Sequence, residues 1–95
     1  VDYEINRRQL SIRLSRDFNL LMARRIEKLA EEVDAVRIDL TQSKIVDSEA
    51  IGALHRLITS GKTVALVNPP RIFGEAIRIL GLDDVIKLDE ITEKK

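Results

Sequence analysis

The sequence predicts an α/β fold of two layers: a mixed sheet of about five strands with about three helices mainly on one face. Three observations carry this. Short runs alternate strictly between apolar and polar residues, as in Leu10, Ile12, Leu14 and again in Val36, Ile38, Leu40, which is the period of a half-buried strand. Between those runs apolar residues recur at helical spacing. Finally, Ser11, Arg13, Arg37, Asp39 and Thr63 all fall on the side away from the apolar strand residues. A sheet covered on both faces would not carry such residues there.

Residues 1–5 form a short run suited to an edge strand, and Asn6-Arg7-Arg8 is a three-residue polar break. So short a break implies an antiparallel hairpin with the strand that follows, residues 9–15. Arg16-Asp17-Phe18-Asn19 is a corner, with Asn19 as N-cap of the first helix. Met22, Ile26, Leu29, Ala30 and Val33 give that helix its inner stripe. Arg24, Arg25, Glu27, Lys28, Glu31 and Glu32 form a solvated face with spacing-dependent pairs such as Arg24 with Glu27 and Lys28 with Glu31.

Asp34-Ala35 turns the chain into the strand centred on Ile38. Thr41 to Lys44 is a polar loop, after which Ile45 and Val46 are expected to pack. A second helix is expected over 48–60, with Ile51, Leu54, Leu57 and Ile58 inward and Ala50 and Ala53 allowing close approach. Asp47 and Ser48 are both N-cap residue types, either side chain able to accept from a free backbone N–H. Glu49 puts negative charge where the helix dipole favours it. Gly61 suits a left-handed C′ position. Residues 63–67 form another strand, and Asn68-Pro69-Pro70 a rigid corner with proline near N1 of the third helix. That helix is assigned Ile72, Phe73, Ala76, Ile77 and Leu80 as its apolar face, closed at Gly81 with Leu82 touching Ile77. Residues 85–88 form a last strand, and 89–95 a polar tail with room for one helical turn. Helices between strands imply parallel pairings with right-handed crossovers.

With 95 residues the chain is read as one domain, 1–95. It begins at Val1, which fits a processed product or an excised domain. Sixteen Lys+Arg balance sixteen Asp+Glu, so no net charge draws the chain to nucleic acid or an acidic membrane. No apolar run nears the roughly 18 residues that span a membrane, and no secretory leader is visible. A cytoplasmic location is expected. The absence of cysteine and the single histidine remove disulfides and the usual zinc sites.

No catalytic set is apparent. There is no phosphate-cradling glycine loop, the glycines at 52, 61, 74 and 81 being scattered. Ser48 and His55 lie about two helical turns apart, too far for a nucleophile and its base. Asp39 ends a strand as the phospho-accepting aspartate of a receiver domain does, but Leu14-Ser15-Arg16 supplies no acidic pair. The chain is read as a non-enzyme with no catalytic, cofactor-binding or metal-binding residues.

Asp47-Ser48-Glu49-Ala50-Ile51-Gly52-Ala53-Leu54 resembles the D-S-S-G-L-G-x-L signature of STAS domains, the family of bacterial anti-sigma factor antagonists. Ile12-Arg13-Leu14-Ser15 with Arg16-Asp17-Phe18-Asn19 is similar to the family's strand and G-E-L-D corner. Val36-Arg37-Ile38-Asp39-Leu40 is similar to its v-v-l-D-l strand, and Ile79-Leu80-Gly81-Leu82 to the t-G-L ending its third helix. The resemblance covers nearly the whole chain and implies a small protein-binding module. It implies an anti-sigma factor that is also a serine kinase, and an opposing phosphatase, as partners. It implies Ser48 as phospho-acceptor, and a partner surface of Asp17, Asn19, Asp47, Ser48, Glu49 and Ile51. Glu49 stands in place of the family's second serine, Ala50 in place of its glycine, Asn19 in place of the corner's Asp and Arg16 in place of its Gly. Two alternatives stay open. In one, Ser48 serves as a helix cap alone, worth about 0.5–2 kcal/mol. In the other, the chain is a non-switching STAS subunit or domain of a membrane transporter, an ATPase complex or a lipid-trafficking complex, touching the membrane indirectly.

Overall fold

The computed structural model describes residues 2–89. Its elements are β1 (Asp2–Asn6), β2 (Gln9–Arg13), α1 (Leu20–Leu29), β3 (Ala35–Asp39), α2 (Ser48–Thr59), β4 (Thr63–Val67), α3 (Arg71–Ile79), a 3-10 turn (Leu82–Asp84) and β5 (Ile86–Asp89). The five strands form one sheet in sequential order. β1 pairs antiparallel with β2, and every later pairing is parallel. Each crossover needs a helix to return the chain.

The register places alternating residues in rows across the sheet. Leu10, Val36 and Val64 align, as do Ile12, Ile38 and Leu66. These rows face the helices and are almost fully buried, with Leu14, Phe18, Ile26, Leu40, Leu54 and Ile77 completing the core. The opposite rows are open. Arg37 reaches Asp89 at 3.3 Å and Arg13 reaches Asp39 at 3.5 Å on that face. The two-layer arrangement read from the polar rows is the observed one.

Several local expectations change. The hairpin break is two residues, because Asn6 pairs with Gln9 and only Arg7 and Arg8 make the turn. Both have positive φ, 53° and 63°, the pattern of the tight turn that matches strand twist. α1 ends at Leu29, and Val33 is buried from the turn beyond it. Pro70 is the N-cap of α3 rather than N1. α2 closes as expected on Gly61 (φ 92°), with Gly61 N donating to Ile58 O and Lys62 N to Leu57 O, a Schellman closure.

Val85 is exposed and precedes β5, and Ile45 is exposed while Val46 packs. Ile72 and Leu80 face outward, whereas Gly74 joins Phe73 and Ile77 on the inner side. In α1, Glu27 is paired across the helix interface instead of along the helix: Arg56 of α2 donates to both its carboxylate oxygens at 2.8 Å. The tail beyond Asp89 lies outside the described residues.

Candidate functional site

In a parallel sheet each crossover helix starts where its preceding strand ends. The first turns of α1, α2 and α3 therefore gather at the carboxyl ends of the strands, where open α/β sheets present their binding surfaces. The corner holding Ser48 is built there from two loops, 14–19 and 40–47.

Phe18 fixes the two loops together. Its ring is fully buried, so the local chain path is anchored in the core. Its backbone N donates to Ile45 O at 3.0 Å, and Asp47 N donates to its carbonyl at 2.9 Å. This makes a short parallel bridge between Phe18 and Val46. Asp17 adds a second tie, its Oδ1 accepting from Lys44 N at 3.2 Å and Ile45 N at 3.1 Å. Ser43, buried, donates to Arg16 O at 2.6 Å. Asn19 is the N-cap of α1, as expected, its Oδ1 accepting from Met22 N at 3.1 Å.

The start of α2 is less tightly held by side chains. Asp47 occupies the N-cap position with extended backbone, ψ 155°, but its carboxylate makes no capping bond. Its carbonyl instead accepts from Ala50 N at 2.9 Å. Ser48 is the first helical residue. Its hydroxyl is exposed and bonds to nothing else in the described residues. Capping by the side chain of Asp47 or Ser48 is thus not what the fold uses. No side chain caps the start of α2, and an uncapped helix N-terminus is favourable to negative charge.

Of the six expected partner-facing residues, Asp47, Ser48 and Glu49 are exposed side by side. Asp17 and Asn19 lie at the same corner with their side-chain oxygens committed to backbone N–H groups. Ile51 sits one turn into α2, half-buried against the core. Ala50 is fully buried, so its methyl fills core space where a glycine would leave a gap. At Gly52 an added methyl would meet only the Arg56 guanidinium, at 3.4 Å. Neither position needs glycine's conformational freedom.

The corner also exposes Leu21, at 77 %, which sequence reasoning passed over, and Ile45, at 60 %, which it expected to pack. The signal was present in Leu20-Leu21-Met22, three consecutive apolar residues in a first turn, of which a helix can turn only part toward the core. The corner thus carries an acidic helix start and two exposed aliphatic residues. Among the described residues no cluster of three or more His, Cys, Asp or Glu is placed to hold a metal. No described helix is long and apolar enough to cross a membrane.

Comparison with known proteins agrees with this fold. A family model described as "Mlab, STAS domain" matches residues 1–89. A Thermotoga maritima protein described as a candidate anti-sigma factor antagonist has a similar structure, with TM-score 0.73 at 20% identity over 96% of this chain and 86% of its own. The Bacillus cell fate determinant SpoIIAA in its phosphorylated form matches with TM-score 0.70 at 18% identity, over 97% of this chain and 91% of its own. The anti-sigma factor antagonist SpoIIAA in its unphosphorylated form gives 0.67 at 13% identity, over 98% and 88%. At such identities the likeness is one of fold. No curated protein matches the chain in sequence.

Proposed function

The chain belongs to the STAS domain family, and from that premise we propose that it is a non-enzymatic regulatory module of the anti-sigma factor antagonist type, switched by phosphorylation of Ser48. The observation carrying this reading is the exposed, unbonded Ser48 hydroxyl at the first position of α2, reached from solvent without disturbing any bond of the fold. A phosphate there adds about −1.5 to −2 charge beside Asp47 and Glu49. The helix N-terminus tolerates that charge, so the domain stays folded. A protein packed on Leu21, Ile45 and the acidic turn meets repulsion and desolvation instead. The partner is an anti-sigma factor that is also a serine kinase, with a phosphatase to reverse the mark. Asp17 and Asn19 serve as positioning residues that hold the corner in shape.

The test has two arms. Incubation with the serine-kinase anti-sigma factor and ATP, followed by mass spectrometry of the peptide containing Ser48, is expected to show one added phosphate, absent in Ser48→Ala. Calorimetric titration is expected to show Ser48→Asp binding about tenfold or more weakly, with its melting temperature within about 2 °C of wild type. Equal affinity for wild type and Ser48→Asp rejects the switch.

A second reading is favoured by one observation. Glu49 already supplies an exposed carboxylate in the first turn of α2, as a phosphate would. On that reading the corner docks permanently on an ATPase of a membrane transport or lipid-trafficking complex. Co-purification with such an ATPase, undiminished by Ser48→Asp, is its expected signature.

A further inference from the structure

We propose that the outer face of α3 docks on the same face of a second copy of this chain as an antiparallel, two-fold helix pair. The proposal uses no residue of the Ser48 corner and stands or falls apart from the switch.

At about 100° per residue, Ile72, Ala76, Ile79 and Leu80 form one continuous stripe on α3. Ile72 is 81 % exposed, Ile79 84 % and Leu80 56 %. Large aliphatic residues stacked two turns apart on a solvent face cost solubility unless something covers them. The inner face of α3 is already supplied by Phe73, Gly74 and Ile77, so the stripe contributes little to the monomer's core.

Charge identifies the occupant. Glu75 and Arg78 flank the stripe on one side, and Arg78 has no ionic partner among the described residues, while Glu75 lies 3.6 Å from Arg71. A two-fold axis through Ala76 keeps this flank next to itself. With a rise of about 1.5 Å per residue, Glu75 of one copy then lies within about one residue's height of Arg78 of the other, twice over. Ile72 lies at the height of Leu80 of the second copy and next to its Ile79. The small Ala76 at the axis lets the backbones approach. An acidic helix from a foreign protein would satisfy Arg78 but oppose Glu75. A second copy satisfies both. The contact is short, since nine residues make a helix of about 13 Å. It falls below the roughly 800 Å² per partner of a standard interface, so association is weak, with a dissociation constant of about 0.1–1 mM.

Sedimentation equilibrium of the full chain from about 10 μM to 2 mM reads this directly. The wild type is expected to show a reversible monomer–dimer equilibrium. Ile79→Lys is expected to remain monomeric with an unchanged melting temperature, because Ile79 is 84 % exposed in the fold. Glu75→Arg alone and Arg78→Glu alone are each expected to weaken association about tenfold, and the double reversal to restore it. A wild type that stays monomeric throughout, an Ile79→Lys variant that dimerises normally, or a double reversal no better than the singles overturns the proposal and leaves the face to another occupant.

Discussion

Arg7 and Arg8 occupy left-handed backbone at φ 53° and 63°, a conformation that costs a side-chain-bearing residue about 1–2 kcal/mol. The two arginines are held differently. Arg8 donates two hydrogen bonds to the Asp34 carboxylate, at 2.7 and 3.2 Å, and its carbonyl accepts from Asp34 N at 2.8 Å. The Arg8 hydrogen bond holds the Asp34 carboxyl below its ordinary value. Arg7 is exposed and has no such tie. Arg7→Asn is therefore expected to stabilise the domain by about 0.5–1 kcal/mol in urea unfolding, since asparagine enters this region more readily, whereas Arg8→Asn gives up the bonds to Asp34 and gains less. At Ser48 the same residue-level accounting points the other way. With no bond to lose, Ser48→Ala is expected to change stability by less than about 0.5 kcal/mol. A larger loss would mean the hydroxyl serves the fold after all.

At the scale of the element, α1 and α2 are joined by burial and by one well-formed ion pair. Glu27 accepts two bonds from Arg56, both 2.8 Å. The hydrogen bonding from Arg56 holds the Glu27 carboxyl below its ordinary value of 4.5. A carboxyl lowered in the folded state stabilises the fold above its ordinary value, and the contribution disappears as pH falls through the lowered one. Both side chains keep solvent contact, 57 % for Arg56 and 27 % for Glu27, which limits the worth of the pair to about 0.5–1 kcal/mol. Glu27→Gln is expected to lower stability by that amount at pH 7 and to converge on wild type as pH falls through the lowered Glu27 value, measured by urea titration at each pH. A difference that persists unchanged in acid would assign the effect to packing.

For the whole molecule, the one-sided sheet sets where stability resides. β3 lies at the centre, paired on both sides, with Val36 and Ile38 under the helices. β1 is an edge whose five residues are all exposed. Amide hydrogen exchange is expected to rank the strands accordingly. The amides of β3 open only with global unfolding, while those of β1 open at a free energy lower by roughly 2 kcal/mol or more. Equal protection in β1 and β3 would indicate that another surface covers the edge, by addition of a further strand. The same architecture explains the placement of the proposed binding corner. Parallel pairing brings the helix starts to one end, and the helix layer leaves the other sheet face to Arg13, Arg37, Asp39 and Asp89.

Sequence alone determined the two layers, the hairpin, the parallel crossovers and the acidic start of α2, because alternation, helical spacing and the glycine at 61 are local rules that burial enforces. It also read the stretch around Ser48 as a STAS signature, from a motif shared by residues adjacent in the chain. What it could not decide depends on contacts distant in sequence. Helical spacing marks which residues of α3 are apolar but not how far the sheet reaches beneath them, so Ile72 and Leu80 were placed inward. Pair rules along a helix do not see α2 lying beside α1, so Glu27 was matched with Arg24. Residue preference made Asp47 and Ser48 caps, but the bridge between Phe18 and Val46 sets the angle at which the chain enters α2. At that angle both side chains are left in solvent.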